Sequence, residues 1–168
     1  MLVAGFSKSY SSLAAFLAVP TALKNHLKVA APPYLYSGPS PTASLATVLA
    51  GFRVNAAEGD EIRRSLCSKT ARVLARISEL GLFTLNTSGY PVIELPLGDS
   101  DDIDKVGEFL FERGIYVTLA AYPLVPKAQV GFRIQVTAAN ADDEIDQLNE
   151  VLGELAERFD MRRAEASG

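Results

Sequence analysis

The sequence predicts a fold of the α/β to α+β class, in which short apolar strands alternate with amphipathic helices. Two apolar runs of strand length stand near the start, at residues 2–6 and 13–19. A long helical pattern covers residues 58–80 and stops at Gly81. Beyond it the order is strand, helix, strand, strand, helix, which favours a compact module with its helices on one face of a sheet.

Composition excludes several classes of function. The 168 residues are 48% apolar and 21% charged, as in a soluble globular protein, and a net charge of −4 gives no basic face for nucleic acid. No apolar run approaches the roughly 20 residues of a membrane-spanning helix, and no secretory signal is visible. The single cysteine, Cys67, cannot form an internal disulfide, which fits a reducing cytoplasm. The spacings of zinc ligands and of phosphate-binding glycine loops are absent, so no metal site is predicted.

The first half predicts three helical stretches around an irregular segment. Pro20 opens a short helix over 22–29 that contains His26, which we expect at the surface. The proline-rich residues 31–41 should be irregular or extended. Helical spacing then returns in two stretches. The apolar positions of these stretches are Leu45, Val48, Leu49 and Phe52, followed by Ile62, Leu66, Val73, Ile77 and Leu80.

The second half predicts a small α+β domain. Strands are expected at 91–96, 115–119 and 131–137. A helix capped by residues 100–102 should end at Gly114, and a closing helix should follow Asn140. Residues 161–168 are small and polar enough to fray.

One lysine stands in a hydroxyl-rich loop directly after the first strand. Lys8 is flanked by Ser7 and Ser9, with two further serines at 11 and 12. A desolvated lysine can form a Schiff base with an aldehyde, and hydroxyls can bind a phosphate ester. A lysine among serines is usually a solvated loop residue. A serine–lysine hydrolase dyad is a further reading, but no nucleophile-elbow or S-x-x-K motif supports it.

One arginine belongs to the last predicted strand. Because side chains alternate between the faces of a strand, Phe132, Ile134 and Val136 share the apolar face and Arg133 projects away with Gln135. Arg133 can lie on the wet face of a sheet, or its planar guanidinium can bind a carboxylate in bidentate fashion.

Several motifs together carry a family resemblance. G-F-S-K-S at 5–9, followed by S-L-A-A-F, resembles the G-T-x-x-K-[SAG]-[FY]-x-x-x-G-G-[FY] stretch of the α-oxoamine synthases. Residues 36–41 resemble the family's aromatic-Ser-x-[ST]-x-x-P segment. G-I-Y-V at 114–117, P-L-V-P at 123–126, and Arg133 followed by T-A-A-N resemble the rest of its pattern. Lys8 and Arg133 lie 125 positions apart (133 − 8), about the separation expected from the family.

The resemblance implies a fold-type-I pyridoxal-phosphate enzyme related to 8-amino-7-oxononanoate synthase, glycine C-acetyltransferase, 5-aminolevulinate synthase and serine palmitoyltransferase. It implies a remnant of the large cofactor-binding domain at 1–57, a linking helix at 58–81 and a small domain at 82–160, before the frayed tail. Lys8 would be the Schiff-base lysine and proton carrier. Ser7, Ser37 and Ser40 would contact the cofactor phosphate, Ser37 across a dimer interface, and Arg133 would bind the substrate carboxylate.

The implied reaction condenses an amino acid with an acyl-CoA and releases CO2 and CoA. The family's carboxylate partner of the cofactor ring and its stacking histidine precede the lysine, where this sequence has seven residues. The chain is therefore expected to be a C-terminal fragment that is inactive alone and needs a homodimer partner or a complementing N-terminal half. The alternatives are a non-catalytic remnant, a partner-binding half of a split enzyme, or an aminotransferase variant.

The sequence departs from the family pattern at three places. Gly5 stands where the family has threonine, Ala14-Ala15 where it has Gly-Gly, and Asn140 where it has histidine.

Overall fold

A computed structural model describes residues 1–164 of the chain. They form two compact units, Met1–Asp60 and Glu61–Gly168, of which the second is described as far as residue 164. Within residues 1–164, no helix combines the length and the apolar character needed to cross a bilayer. The predicted domain bounds at 57, 81 and 160 remain predictions.

The first unit contains a two-stranded antiparallel hairpin and three helices. Strands β1 (Leu2–Gly5) and β2 (Ala15–Ala18) pair from Leu2 opposite Ala18 to Gly5 opposite Ala15. They are followed by α1 (Thr21–Ala30), the single-turn α2 (Pro32–Leu35) and the start of α3 (Thr42–Glu79). His26 is exposed, as predicted.

The first unit leaves much of its apolar surface uncovered. None of the residues of α1 or α2 is buried, and the side chains of β2 are exposed. The exposed large apolar residues of this unit include Leu2, Val3, Leu13, Leu17, Val29, Tyr34, Tyr36, Leu49 and Phe52. Surface of this extent is typical of a face that another polypeptide covers.

Helix α3 is one continuous helix of 38 residues, whereas the sequence predicts two separate helical stretches. The intervening residues 53–57 contain neither proline nor glycine, so nothing there interrupts the backbone hydrogen bonds. The helix ends as predicted at Gly81, which has a φ of 64°. The N–H of Leu82 bonds the carbonyl of Ile77 and that of Gly81 bonds Ser78, both at 3.0 Å, which is a Schellman motif.

The second unit contains a three-stranded antiparallel sheet in the order β3-β5-β4. The strands are β3 (Val92–Pro96), β4 (Thr118–Ala120) and β5 (Gly131–Gln135). Helices α4 (Ile103–Glu112) and α5 (Asp142–Arg158), together with the end of α3, bury one face of this sheet. The core residues that are almost completely buried include Val73, Ile77, Ile93, Leu95, Val106, Leu110, Phe132, Leu152 and Leu155.

Two sequence expectations differ from the structure of this unit. The strand predicted at 115–119 pairs only from Thr118 to Ala120, because Ile115 turns back to bond Leu110 after Gly114. The expectation of a frayed tail is wrong for residues 161–164. Met161 is 1% exposed and pairs with Leu97, since the apolar side chain completes the core. The rest of the predicted tail, 165–168, lies outside the described residues.

Candidate functional site

Lys8 lies in a tight turn between β1 and β2. The carbonyl of Phe6 accepts hydrogen bonds from the N–H groups of Tyr10 (3.2 Å) and Ser12 (3.1 Å), and the N–H of Phe6 bonds the carbonyl of Ala14 (2.9 Å). These bonds close the loop at its base. The side chain of Lys8 is exposed and makes no hydrogen bond or ion pair within the described part of the chain. Its amine is therefore accessible to a reagent or a ligand.

An aromatic cluster fixes this lysine loop to α3. The ring of Tyr10 stacks on Phe6, with centroids 5.5 Å apart, and meets the edge of Phe52 at 5.4 Å. A Cβ atom added to Gly51 would lie 2.6 Å from Cγ of Tyr10, so only glycine leaves room for the ring. The buried hydroxyl of Ser12 donates to the carbonyl of Ser44 at 2.8 Å. These contacts join residues distant in sequence, and the sequence analysis did not find them.

The predicted phosphate-contacting hydroxyls are exposed. Ser7 shares the turn with Lys8, whereas Ser37 and Ser40 lie in the segment between α2 and α3. Among residues 1–164, none of the three makes a side-chain hydrogen bond, and no hydrogen bond joins the segment that carries Ser37 and Ser40 to the lysine loop. Each hydroxyl is thus free to bind an anion, and their roles remain predictions.

The backbone of the loop tolerates the departure from Gly-Gly. Ser11, with a φ of 49°, is the only non-glycine residue among residues 1–164 that has a positive φ. Ala14 and Ala15 therefore have negative φ, which alanine adopts without strain.

Arg133 is at the centre of the sheet of the second unit. It stands opposite Glu94 of β3 on one side and Thr118 of β4 on the other. Its neighbours Phe132 and Ile134 are buried in the core, so the alternation predicted from the sequence is confirmed. The Nε atom of Arg133 is buried and has no hydrogen-bond partner among the described residues. The guanidinium therefore keeps a desolvated donor on the face away from the core, and leaving such a donor unpaired costs about 1–3 kcal/mol.

A pocket of about 420 Å³ opens on this face of the sheet. Its lining includes Phe83, Glu94, Thr118, Gln129, Arg133 and Arg162. Arg162 is not among the predicted site residues, because residues 161–168 were expected to fray. The only local signal against fraying is the apolar Met161 directly before it.

The turn after β5 is held in place from α3. The ammonium group of Lys69 donates to the carbonyls of Ala138 (2.9 Å) and Asn140 (2.6 Å). Asn140 accepts from the N–H of Thr137 and donates to Glu144, so it stabilises the start of α5. A hydrogen bond from the backbone N–H of Ala141, and then the one from Asn140, lower the pKa of Glu144 below its usual range.

Lys8 belongs to the first unit and Arg133 to the second. The two predicted reactive groups are therefore carried by different compact bodies, each with its own local supports. Within residues 1–164, no group of three or more histidine, cysteine or acidic side chains could hold a metal ion.

Comparison with known proteins defines the class of protein. Residues 1–152 match the model of the family described as aminotransferase class I and II. The chain belongs to this family. The members of the family to which it is similar use pyridoxal phosphate.

Within that family the relatives are α-oxoamine synthases. The chain is 29% identical over 136 residues to the mitochondrial 2-amino-3-ketobutyrate coenzyme A ligase of Bos taurus. The matched region covers 81% of this chain and 32% of the relative. The chain is also 33% identical over 157 residues to the 8-amino-7-oxononanoate synthase of Alkalilimnicola ehrlichii, covering 92% of this chain and 39% of the relative.

Solved structures share the fold. The serine palmitoyltransferase of Sphingomonas wittichii superposes with a TM-score of 0.81 at 22% identity, over 94% of this chain and 40% of that one. The 8-amino-7-oxononanoate synthase of Francisella tularensis gives a TM-score of 0.78 at 20% identity, over 92% and 45%. The fold-type-I class predicted from the sequence is thus confirmed. The chain spans about a third to two fifths of the length of the curated relatives named above.

Proposed function

We propose that this chain is the C-terminal portion of a pyridoxal-phosphate-dependent acyltransferase of the α-oxoamine synthase type. The reaction joins the Cα of an amino acid to the acyl carbon of an acyl-CoA, with release of CO2 and CoA. The observation that carries the proposal is that the chain has both an accessible Lys8 amine, in the first unit, and a buried Arg133 Nε without a hydrogen-bond partner among the described residues, in the second. Both residues lie in the motifs by which the sequence resembles the family.

The residues present fit the cofactor through an amine and hydroxyls. Lys8 would hold pyridoxal phosphate covalently and carry a proton at Nζ, and Ser7, Ser37 and Ser40 would donate hydrogen bonds to its phosphate. The cofactor supplies an electron sink for charge that develops at the substrate Cα. Arg133 would bind the substrate carboxylate with its guanidinium fork and so fix the orientation of the amino acid.

We further propose that the first unit is completed by another polypeptide. The exposed apolar residues of β2, α1 and α3 support a partner with a matching apolar face. The occupant would be the part of the same fold that occupies the remaining three fifths or more of the relatives. A homodimer would supply Ser37 to the neighbouring site. The cytoplasmic location and the absence of a nucleic-acid partner also remain predictions, and the bovine relative is named as mitochondrial.

The same exposed surface favours a second candidate, a non-catalytic chain that serves only to bind a partner. An aminotransferase variant is a third, because the family model covers aminotransferases of classes I and II. The acyltransferase and the aminotransferase both require a Lys8 that reacts specifically with the cofactor, whereas the non-catalytic chain does not.

The test is labelling with pyridoxal phosphate followed by borohydride reduction and peptide mapping. We expect the reduced label to concentrate on Lys8 and to disappear in Lys8→Ala. Lys24→Ala is the matched control, since Lys24 is another exposed lysine of the first unit. Equal labelling of many lysines, unchanged by Lys8→Ala, would contradict the proposed cofactor site and favour the non-catalytic candidate.

A further inference from the structure

A second guanidinium lines the same pocket as Arg133. Arg162 follows α5, and its backbone is held on both sides: its N–H donates to the carbonyl of Pro96 at 3.2 Å, and its carbonyl accepts from the N–H of Phe83 at 2.9 Å. These bonds connect the residue to two segments far away in sequence. The Cα of Arg162 is thereby fixed at the rim of the pocket.

The side chain of Arg162 is oriented but not neutralised. Its Cζ lies 4.4 Å from the centroid of the Phe83 ring, which holds the guanidinium plane by a cation–π contact. Its hydrogen bond is a long one, from Nη1 to the carbonyl of Ala128 at 3.4 Å, and it forms no ion pair among the described residues. Nε and Nη2 are thus available as donors to a ligand.

The pocket is locally positive in an acidic protein. Two guanidinium groups and the carboxylate of Glu94 leave one net positive charge in its lining, whereas the whole chain carries −4. Glu94 stands opposite Arg133 in the sheet, yet the two form no ion pair in the described structure. Much of the remaining lining is apolar, including Leu85, Pro96 and Val125. Such a lining suits a short carbon chain that carries more than one anionic group.

We propose that Arg162 forms an anion subsite beside Arg133, so that the pocket selects a dicarboxylate over a monocarboxylate. One carboxylate binds Arg133 and the other binds Arg162, with the connecting methylene groups against the apolar lining. The inference rests on the carboxylate role proposed for Arg133, and it assigns to Arg162 a part in substrate specificity.

The experiment is an NMR titration of the 15N-labelled chain with glutarate and with butyrate at constant ionic strength, followed through the arginine Nε–H signals. We expect glutarate to bind about tenfold more tightly than butyrate, since a hydrogen bond to a charged group contributes that much. Arg162→Gln should reduce the preference to less than about twofold, and Arg162→Lys, which keeps the charge but not the planar fork, should give an intermediate value. Arg158→Gln is the matched control, because Arg158 ends α5 with its Cζ 5.2 Å from the Phe109 ring and lies outside the pocket lining.

The outcomes separate this inference from the proposed function. Equal affinities of the wild type for the two acids, or no binding of either, overturn the inference. A preference that survives Arg162→Gln, or that Arg158→Gln removes equally, also overturns it. If Arg133→Gln leaves both affinities unchanged while Arg162→Gln abolishes the preference, the subsite stands and the role of Arg133 fails. Labelling of Lys8 tests the cofactor site independently of all these results.

Discussion

Replacing Gly131 with alanine would test how closely the central strand of the second unit must approach its neighbour. Gly131 begins β5 and pairs with Pro96 of β3 and with Ala120 of β4. A Cβ added there would lie 2.2 Å from the carbonyl oxygen of Leu95 and 2.6 Å from Cα of Pro96. Both obstacles are backbone atoms, so no side-chain rotation can relieve the overlap.

The expected cost of Gly131→Ala follows from the displacement. Ordinary contact begins at 3.4 Å, so β3 and β5 must separate by roughly 1.2 Å at this end. The adjacent bond from the N–H of Leu97 to the carbonyl of Val130, now 2.9 Å, would then leave hydrogen-bonding range. Overpacking typically costs 1–3 kcal/mol and the lost bond about 1, so we expect a loss of about 3 kcal/mol in the free energy of unfolding.

Amide hydrogen exchange on β5 measures this free energy for the second unit separately from the first. The control is Gly107→Ala in α4, where the added Cβ would meet Cδ1 of Leu119 at 2.7 Å, the far end of a side chain that can rotate. Because alanine also favours the helix, we expect the control to stay within about 1 kcal/mol of the wild type. A loss below about 1 kcal/mol for Gly131→Ala, or equal losses for both variants, would refute the reasoning.

Two further predictions concern the lysine loop and the start of α5. Gly51→Ala should lower the free energy of unfolding by about 1–3 kcal/mol, because the added Cβ displaces the Tyr10 ring. In a Tyr10→Ala background the same substitution should be neutral or stabilising. Additive effects of the two substitutions in urea unfolding would contradict this prediction. The lowered pKa of Glu144 adds stability that is present above the unfolded-state pKa of about 4.3 and is lost as the pH falls through the folded-state value. As the pH falls from neutral to below the folded-state pKa of Glu144, the Glu144→Gln variant should therefore lose less free energy of unfolding than the wild type. Equal losses would count against the bond from Ala141.

The elements that the sequence predicts well depend on local patterns. The alternation around Arg133 predicts the start of β5 and its two faces, although the strand ends at Gln135 and not at 137. The left-handed Gly81 ends α3 where expected. Each of these signals depends only on neighbouring residues. The sequence also predicts the position of Lys8 in a loop after a short strand, since the apolar run before it is sharply bounded. The motif order over the whole chain then identified the family.

The features that the sequence could not predict depend on contacts between distant segments. Arg162 looked like part of a polar tail, and only its pairing with Phe83 and Pro96 brings it to the pocket. No sequence pattern around Gly51 indicates a close approach, because the need for glycine there follows from the Tyr10 ring. Neither partner lies close enough in sequence to leave a periodic signal.

The surroundings of Arg133 support the proposal that it binds a ligand and does not form a structural ion pair. An arginine on the wet face of a sheet normally keeps its donors in water or pairs them with a carboxylate, because a buried unpaired donor costs about 1–3 kcal/mol. Glu94 is directly opposite, yet the Nε atom of Arg133 is buried and has no hydrogen-bond partner among residues 1–164. A fold that only needed stability could remove this cost with a shorter polar side chain at the same position. Arg133 instead lines a pocket with a guanidinium whose Nε is withdrawn from water, and a carboxylate there would gain more from it than from an arginine in water.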